Sequence, residues 1–412
     1  MTLPDGVQQR LLFADGGRDG PSTEGGIDGM TDQTNNEHEI RVQPGKVQTQ
    51  MTFAGETDGL PPIKVVGVGG AGCNAVNRMI DEGINGVHFL SVNTDSQQLQ
   101  LANSPETIRI GDKISRGLGV GGDPEKGGKA ADESRAELQE AVKGMDMVFV
   151  TAGMGGGTGT GAAPVIAEVA KLAGALTIAV VTKPFAFEGS RRREAAEVGL
   201  ARLQEHADTV ITIPNDRLLH LSDDDLPLTE AFRQADDVLR QGIQGISDVI
   251  TVPGEVNLDF NDVKKIMGEG GHALMAIGAG SGDGRAVAAA QEAITSPLLE
   301  TDISGARRVL YNVTSSGTLG LMELNMAAKV IQEMVDPDAE IIFGTAIDRT
   351  MSDDDVKITV IATGFHGQTL TTIDMVTETE ERWSSDMLDE LGMDGDDVDL
   401  PAFLRKRRVA AQ

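Results

Sequence analysis

Two glycine-rich segments carry the residue types that bind phosphate groups. Gly155–Gly161 reads GGGTGTG, and Gly67–Gly72 reads GVGGAG. Each follows a run of β-branched and apolar residues and precedes a helical pattern. Backbone N–H groups at a helix N-terminus bind anions, and glycine lets a phosphate approach the backbone closely. We therefore predict a nucleotide site in which Gly155–Gly161 holds the phosphates, with its two threonine hydroxyls as additional donors.

Each glycine segment also has another interpretation. Gly67–Gly72 alone would fit the fingerprint of a dinucleotide-binding domain equally well. Gly155–Gly161 could be a flexible turn, although five glycines in seven residues exceed what a turn requires. A third stretch, GLGVGGDPEKGG (117–128), could line the same pocket or form a surface loop, and we expect the pocket. The sequence lacks the GxxxxGK[ST] pattern, because Lys129 is followed by Ala130 and not by Ser or Thr. This argues against a P-loop nucleoside triphosphatase.

A polar cluster, NLDFND (257–262), could orient a water molecule. Asn257 supplies an amide, and Asp259 and Asp262 supply carboxylates. Such acceptors are what in-line attack of water on a γ-phosphate requires. The two acids also lie three residues apart at the start of a helical pattern, where acidic side chains cap helices and suit the helix dipole. Spacing alone favours the capping interpretation.

Four other residues have a structural interpretation when taken by themselves. Cys73 directly follows the first glycine segment, and without a His or Cys partner pattern it is predicted to pack instead of acting as a nucleophile. Glu188 and Arg192 have the i, i+4 spacing of a surface ion pair. Phe232 lies in a helical pattern, where its aromatic ring predicts a core position.

The candidate residues require a framework of strands and helices. Strand patterns alternate with helical patterns in the first half of the chain, which predicts a parallel sheet covered by helices on both faces. These strands are predicted at 63–70, 86–95, 145–153, 175–185 and 208–216, with helices at 75–83 and 162–174.

After a long predicted helix, from about Thr229 to Thr251, the pattern changes. Strands are predicted at 272–282, 306–315, 340–348 and 355–364, and helices at 260–267, 286–297 and 321–335. The second half is therefore predicted to be another α/β domain with a smaller sheet.

The chain divides into six predicted segments. Residues 1–60 are expected to form a disordered N-terminal arm because they are polar and lack periodicity. The nucleotide-binding domain is assigned to 61–228, the central helix to 229–252 and the second domain to 253–378. An acidic linker (379–398) precedes a C-terminal peptide (399–412), in which LPAFL is followed by RKRR. This peptide could dock into a partner groove, contact anionic lipid or be a solvated basic end.

Composition limits the partners. The formal net charge of -29 repels the phosphate backbone, so no nucleic-acid partner is expected. Cys73 is the single cysteine, which excludes an internal disulfide and is compatible with a reducing cytoplasm. No apolar run reaches the length of about 18 residues that a membrane span needs. The acidity favours a protein adapted to high salt over a merely acidic mesophilic one.

Several motifs together resemble one family. GGGTGTG between a strand and a helix is the signature of the tubulin/FtsZ superfamily. With GVGGAGCNAVN (67–77), NTD (93–95), TKPFAFEGSRR (182–192) and AFRQADDVLRQGIQGISD (231–248), the chain closely resembles the FtsZ family of cell-division GTPases. The resemblance covers about 61–377 and resumes at DLPAFLRKRR. It implies a parallel-sheet GTPase domain of the tubulin/FtsZ type, a long central helix and a smaller α/β domain, and the acidity suggests a salt-adapted archaeon.

The resemblance implies a site for GTP or GDP. Glu188 and Arg192 match the residues that contact ribose and phosphate. Phe232 would stack on the guanine, Asp236 would form hydrogen bonds with it, and Asn215 is a further candidate for the same pocket. The implied phosphate contacts are Gly69, Gly70, Ala71, Gly72, Cys73, Asn74, Gly155, Gly156, Gly157, Thr158, Gly159, Thr160 and Gly161.

The resemblance also reverses the interpretation of NLDFND, which matches the family pattern NxDxxD. Asn257, Asp259 and Asp262 would then act on the GTP of the next subunit in a head-to-tail filament, so that polymerisation activates hydrolysis to GDP and phosphate. Mg²⁺ is expected to be held mainly by phosphates and water. The implied location is a cytoplasmic ring at midcell.

The implied partners are further copies of the chain, an FtsZ paralogue, and a SepF-like membrane-tethering protein that binds Asp399–Arg408. Two alternatives remain. One is a tubulin-like filament protein that controls cell shape, for which the tail peptide would have no purpose. The other is a dinucleotide-dependent oxidoreductase, which would leave GGGTGTG and NLDFND unexplained.

Overall fold

A sheet with helices on both faces forms the framework of the molecule, described here from a computed structural model. The structure describes residues 60–219, 227–299 and 301–365. The strands are β1 (Ile63–Val68), β2 (His88–Asn93), β3 (Glu106–Arg109), β4 (Met147–Gly153), β5 (Leu176–Lys183), β6 (Thr209–Pro214), β7 (Gly271–Ser281), β8 (Arg308–Ser315), β9 (Glu340–Ile347) and β10 (Asp355–Thr363).

The helices include all six that the sequence pattern predicts, and also a 17-residue helix, Ser190–His206, that the pattern did not predict. They are α1 (Gly69–Asp81), α2 (Ser96–Gln100), α3 (Asp112–Ser115), α4 (Pro124–Glu133), α5 (Arg135–Val142), α6 (Thr158–Leu172), α7 (Ser190–His206), α8 (Asn215–Leu218), α9 (Leu228–Thr251), α10 (Phe260–Met267), α11 (Arg285–Ile294) and α12 (Leu321–Gln332). Short 3₁₀ turns occupy Ala186–Glu188 and Ile303–Gly305.

The described strands form a sheet in the order β3-β2-β1-β4-β5-β6-β7-β10-β8-β9. From β3 to β6 every pair of neighbours is parallel, which confirms the parallel sheet predicted for the first half. In the second half β10 runs antiparallel to β7 and β8, while β8 and β9 are parallel. The carboxyl ends of the parallel strands therefore meet at a single edge of the sheet.

Strand β7 joins the two halves of the sheet. Its first three residues pair in parallel with β6, from Thr209↔Gly271 to Ile211↔Ala273. From Leu274 onward it pairs with β10 instead, in antiparallel register as far as Ser281. The C-terminal strands thus continue the first sheet, whereas the sequence pattern predicted a smaller sheet of their own.

Alternate residues of the central strands pack against different helices. On β1, Val65 belongs to the same buried cluster as Leu239 and Ile243 of α9, while Val66 and Val68 belong to the cluster that includes residues of α4 and α6. This period of two is expected for a strand that is buried on both faces. Burial of each such side chain contributes about 1.5–3 kcal/mol. The central strands are thereby fixed between α9 and α6, and both helices contribute residues to the candidate site described below.

Two helices begin earlier than their periodicity predicts. Helix α1 starts at Gly69 and α6 at Thr158, inside the glycine segments, whereas helical spacing is recognisable only from residues 75 and 162. Glycines in the first turn carry no apolar side chain and so leave no periodic signal. Each glycine segment therefore contains the first turn of a helix, which places free N–H groups at the edge of the sheet.

Several expectations concern parts of the chain outside the described residues. These are residues 1–59 of the expected N-terminal arm, the linker at 379–398 and the peptide at 399–412. The proposed domain boundaries remain predictions. Among the described helices, none has an apolar stretch long enough to cross a bilayer.

Candidate nucleotide-binding site

A cavity of about 280 Å³ opens at the carboxyl ends of β1, β4 and β5. In parallel α/β sheets this edge is where ligands bind, because strands and following helices part there. The cavity is lined by Val68, Gly70, Ala71, Gly153, Met154, Gly156, Gly157, Thr158, Gly159, Thr182, Pro184, Glu188, Arg192, Asn215, Phe232, Ala235 and Asp236. It therefore brings together residues from both predicted phosphate segments and from the predicted base-binding set.

The N-termini of α1 and α6 both face this cavity. Gly70 and Ala71 line it from the first turn of α1, and Thr158 and Gly159 line it from the first turn of α6. Neither first turn contains an acidic residue that would offset the positive end of the helix dipole. Two such N-termini at one cavity favour a ligand with several negative charges.

The glycines of Gly155–Gly161 serve two different purposes. A Cβ added at Gly156 would meet nothing within 4 Å, so this residue leaves space in the cavity. A Cβ at Gly161 would lie 1.9 Å from the carbonyl oxygen of Pro124, and one at Gly157 would lie 2.8 Å from the amide nitrogen of Asp123. The third glycine-rich stretch (117–128) thus packs against the back of the segment, and its residues are not among those that line the cavity, contrary to our expectation.

Some predicted phosphate residues support the cavity without lining it. Gly155 has a φ of 98°, a left-handed conformation that side chains disfavour, and its amide donates to the Thr160 hydroxyl at 2.8 Å. The Cys73 thiol is buried at 2% exposure, directed at the carbonyl oxygens of Gly67 and Val92. Gly69, Gly72 and Gly161 pack against neighbouring backbone, and Asn74 is exposed.

Burial decides the chemistry of Cys73. It raises the pKa of the thiol to about 11, so the sulfur is protonated at neutral pH. A protonated thiol is a poor nucleophile. This agrees with the packing role predicted for Cys73.

A pair of threonine hydroxyls links the second glycine segment to the residues that follow β2. The Thr158 and Thr94 hydroxyls lie 2.7 Å apart, and Thr94 is fully buried directly after β2. The pair ties the second glycine segment to the NTD segment (93–95). It also fixes the rotamer of Thr158, which lines the cavity.

Three aromatic rings form a cluster, and one of them, Phe232, lines the cavity. Phe185 and Phe187 are stacked with centroids 5.0 Å apart, and the Phe232 ring meets both edge-on, with centroid distances of 5.5 and 6.4 Å. Phe232 is 41% exposed, so the core position predicted from pattern is wrong. A ring held edge-on by two neighbours leaves its remaining surface available for stacking on a planar base.

Two polar residues that line the cavity with Phe232 could form hydrogen bonds with a base. Asn215 is only 5% exposed, and its amide oxygen has no hydrogen-bond partner within the described structure. A buried acceptor left unpaired is costly, by about 1–3 kcal/mol, unless a ligand satisfies it. Burial raises the pKa of the Asp236 carboxyl to about 7, while the positive charge of Arg78 opposes this rise.

Glu188 and Arg192 form the ion pair that their spacing predicts, and both line the cavity. Glu188 also accepts a hydrogen bond of 2.9 Å from the amide of Phe185. The Glu188 side chain is 11% exposed and that of Arg192 58% exposed. The buried carboxylate is thus fixed in place, and the guanidinium reaches the mouth of the cavity.

Asn257, Asp259 and Asp262 lie elsewhere, at the start of α10. Asp259 accepts a hydrogen bond from the Asp262 amide at 3.0 Å, and Asp262 accepts one from the Asp259 amide at 3.4 Å. The Asn257 side chain accepts from the Gly254 amide at 2.7 Å. The capping interpretation is therefore correct as local structure. None of the three is among the residues lining the cavity of the same subunit.

Sequence reasoning missed several lining residues. Val68, Gly153, Met154, Thr182 and Pro184 lie at or just beyond the ends of three parallel strands. Their types carry no chemical signal, but the rule that ligands bind beyond the carboxyl ends of parallel strands could have found them.

Comparison with known proteins identifies the family. A model of the tubulin/FtsZ family GTPase domain matches residues 62–223, and one of the FtsZ family C-terminal domain matches 271–366. A structure described as an empty FtsZ dimer from M. jannaschii has 44% identity and a TM-score of 0.72, covering 74% of this chain and 89% of that chain. The chain is a member of the FtsZ family. A mutant FtsZ structure from that organism has 43% identity and the same TM-score, with coverages of 75% and 92%.

A more distant structure shares the FtsZ fold. CetZ2 from Haloferax volcanii, described as a GTPγS-bound protofilament, has 21% identity and a TM-score of 0.65, covering 78% of this chain and 99% of that chain. Membership of the FtsZ family confirms the predicted fold class. The N-terminal domain is a GTPase domain of the tubulin/FtsZ type, followed by the FtsZ C-terminal domain, and its nucleotide is GTP or GDP.

Proposed function

We propose that this chain binds GTP in the cavity and hydrolyses it in a head-to-tail polymer that forms the division ring. In this polymer Asn257, Asp259 and Asp262 of one subunit complete the cavity of the next. The observation that carries the proposal is their separation from the cavity of their own subunit, combined with the exposure of Asn257 and Asp259. M. jannaschii FtsZ is described as a dimer and CetZ2 as a protofilament, which supports self-association of this relative.

The lining of the cavity offers suitable groups for each part of GTP or GDP, namely the phosphates, the ribose and the guanine. The phosphates would lie against the first turns of α1 and α6, where backbone donors converge. The guanine would lie between Phe232, Asp236 and the unpaired oxygen of Asn215. The ribose would lie near Glu188 and Arg192. Mg²⁺ would be held mainly by the phosphates and water, and would neutralise charge that develops on the γ-phosphate.

The capping arrangement prepares Asp259 and Asp262 for a role in orienting water. Within the described structure, Asp259 uses Oδ1 and Asp262 uses Oδ2 in the cap, which leaves the second oxygen of each carboxylate available. An acceptor of fixed orientation aligns the attacking water and takes up its developing positive charge. Hydrolysis then requires contact between subunits, because neither half-site holds all the groups.

Subunit mixing tests the shared site. Asp262→Ala keeps the cavity but removes an acid, whereas Gly156→Val blocks the cavity but keeps the acids. Each variant alone should have little GTPase activity. An equimolar mixture should recover up to about a quarter of wild-type activity per chain, since about half of the cavities and half of the acidic faces are intact and they meet at random.

The matched control is Asp302→Ala. Asp302 caps the 3₁₀ turn at Ile303–Gly305 by accepting from the Ser304 amide, so its loss removes a similar cap away from the NLDFND segment. This variant should retain GTP turnover, with a stability loss of about 1 kcal/mol like that of Asp262→Ala. Normal turnover by Asp262→Ala would contradict the catalytic role, and a mixture no more active than its parts would contradict the shared site.

The ring and its tether are the finer part of the proposal. The acidic linker (379–398) would keep the peptide 399–412 extended, and Asp399–Arg408 would bind a SepF-like membrane-tethering protein. The net charge of -29 supports a salt-adapted, archaeal setting, where an FtsZ paralogue would be a further partner. Deletion of 399–412 should preserve GTPase activity and polymerisation and abolish the midcell ring of a fluorescently tagged chain. A normal ring in cells that carry only the truncated chain would contradict the tether.

A further inference from the structure

Arg308, the first residue of β8, holds the C-terminal end of α10. Its Nη1 donates to the carbonyl oxygens of Lys265 at 3.0 Å and Gly268 at 2.9 Å, and its Nη2 donates to the carbonyl oxygen of Glu269 at 3.1 Å. The last carbonyl groups of a helix lack partners within it and need donors from elsewhere. A guanidinium also places positive charge at the negative end of the helix dipole. Arg308 therefore caps α10 with hydrogen bonds and with charge.

Two threonines complete this cap. The hydroxyl of Thr363, at the end of β10, donates to the carbonyl oxygen of Ile266 at 3.1 Å, and the hydroxyl of Thr209, at the start of β6, donates to that of Met267. Both threonines are fully buried. The end of α10 is thus bonded to strands that lie on both sides of β7.

The other end of α10 carries the acids of the proposed hydrolysis site. Asp259 caps its N-terminus, and Asp262 lies in its first turn. Val263, Ile266 and Met267 bury one face of the helix, but apolar contacts have no preferred direction. Because an eight-residue helix is about 12 Å long, a tilt of about 5° at one end moves the other end by about 1 Å. The directional bonds at the C-terminal end therefore contribute to the position of both carboxylates.

We propose that Arg308 is a positioning residue for hydrolysis: bonded to three carbonyl groups at one end of α10, it fixes the orientation in which Asp259 and Asp262, at the other end, meet the nucleotide of the next subunit. This inference rests on the proposed shared site. Arg308 is not among the residues that line the cavity, and its three bonds go to the backbone, so it acts through the helix.

Loss of these bonds should slow hydrolysis and leave nucleotide binding intact. A displacement of about 1 Å in groups that align a reaction costs up to about 100-fold in rate. The buried face of α10 limits the movement, so we expect Arg308→Met to lower kcat about tenfold. The Kd for GDP should stay within about twofold of wild type, because other elements form the cavity.

The test measures three quantities on the full chain. They are GTP turnover per polymerised subunit at saturating GTP, the Kd for GDP by titration calorimetry, and the polymer formed with a non-hydrolysable GTP analogue, by sedimentation. Arg308→Met should lower turnover alone. Arg308→Lys keeps the charge and an N–H donor group, and should recover turnover to within about threefold of wild type. Should Arg308→Met fail to fold by circular dichroism, Arg308→Gln replaces it, with the same split expected between turnover and binding.

Two control variants separate positioning from loss of charge and from loss of stability. Arg307→Met removes the same charge one residue earlier, where the side chain is exposed, and should leave turnover unchanged. Val313→Ala removes buried methyl groups from β8 in a cluster that does not include residues of α10, so it should lower Tm without disturbing that helix. Its turnover per polymerised subunit should also equal wild type.

Subunit mixing identifies the half of the shared site that Arg308 serves. If it serves the acids, Arg308→Met still offers an intact cavity, and an equimolar mixture with Gly156→Val should reach about a quarter of wild-type activity per chain. A mixture with Asp262→Ala should remain at about a twentieth, because neither chain offers correctly placed acids. A defect on the cavity side would reverse these two values.

Four results would overturn the inference. They are wild-type turnover in Arg308→Met, an equal loss of turnover in either control variant, a Kd for GDP weakened by the same factor as turnover, and the reversed pattern in the mixtures. Failure of the proposed shared site would look different. In that case Asp262→Ala itself hydrolyses GTP at the wild-type rate, or it does not complement Gly156→Val.

Discussion

Gly156 and Gly161 lie five positions apart in the same segment, yet substitution by alanine should affect different properties. A Cβ at Gly161 would be 1.9 Å from the Pro124 carbonyl oxygen and 2.6 Å from the Gly128 amide nitrogen. Contacts below 3.0 Å force a shift, so α4 and α6 would have to separate by about 1 Å. Overpacking of this kind costs up to about 3 kcal/mol. We expect Gly161→Ala to lower Tm by about 6–12 °C.

Gly156→Ala should leave the fold intact and impair the ligand. Its Cβ meets nothing within 4 Å, and its φ is not left-handed, so the nucleotide-free Tm should stay within about 2 °C of wild type. The added methyl group occupies the space beside the predicted phosphates. Wild-type protein at a GDP concentration of 100 Kd gains about 2.7 kcal/mol, which raises Tm by about 5–10 °C. Gly156→Ala should lose most of this increase.

Differential scanning fluorimetry with and without GDP measures both variants. Gly161→Ala should retain a GDP-dependent increase in Tm from its lower baseline, so each variant is the control for the other. A full GDP-dependent increase in Gly156→Ala would refute the assignment of this segment to the phosphates. A nucleotide-free Tm of Gly161→Ala equal to wild type would refute the packing argument.

Two further predictions concern the C-terminal half. Burial raises the pKa of Asp248 to about 6, so the stability that the protonated group contributes is present below pH 4 and is lost as pH rises through 6. Asp248→Asn should therefore be more stable than wild type by about 3 kcal/mol at pH 8 but not at pH 4 in urea unfolding, and a pH-independent difference would contradict this. Arg285→Met should lower the unfolding free energy by about 2–4 kcal/mol in the same assay, because the buried guanidinium bonds Glu323 and both oxygens of Thr318. An unchanged midpoint of unfolding would refute that role.

The elements that the sequence pattern predicts best have strong signals at both ends. Helix α10 begins and ends where the pattern places it, at 260 and 267, because Asp259 caps its start and Gly268 follows its last residue. Helix α9 agrees within one residue, since its apolar positions recur every three or four residues over 24 residues. This periodicity arises because one face of the helix packs against the sheet, so it can be recognised without knowledge of distant contacts.

Elements with weak periodicity were not predicted. Helix α4 (PEKGGKAADE) has three buried residues, which are a glycine and two alanines, so its inner face has no apolar pattern. Its glycines are required by close contact with α6, and that contact links residues distant in sequence. The assignment of 117–128 to the cavity was wrong for the same reason, since composition cannot distinguish glycine beside a ligand from glycine beside backbone.

The candidate site was predictable in its residue types and not in its contacts. Glu188, Arg192 and Phe232 were expected only through family resemblance, because each has an ordinary structural interpretation by spacing. Asp236 was likewise expected only through the resemblance. The unpaired oxygen of Asn215 depends on burial in three dimensions.

The way β7 joins the two halves of the sheet has a mechanical consequence. If the proposed polymer pulls on a membrane, tension runs along its subunits, and each subunit must transmit this force from one half of the sheet to the other. Strand β7 is held to β6 by three residue pairs but to β10 by eight. Hydrogen bonds in a ladder that is loaded in shear share the force, so the shorter ladder bears more force per bond. Under such tension, the hydrogen bonds between β6 and β7 would therefore break before those between β7 and β10.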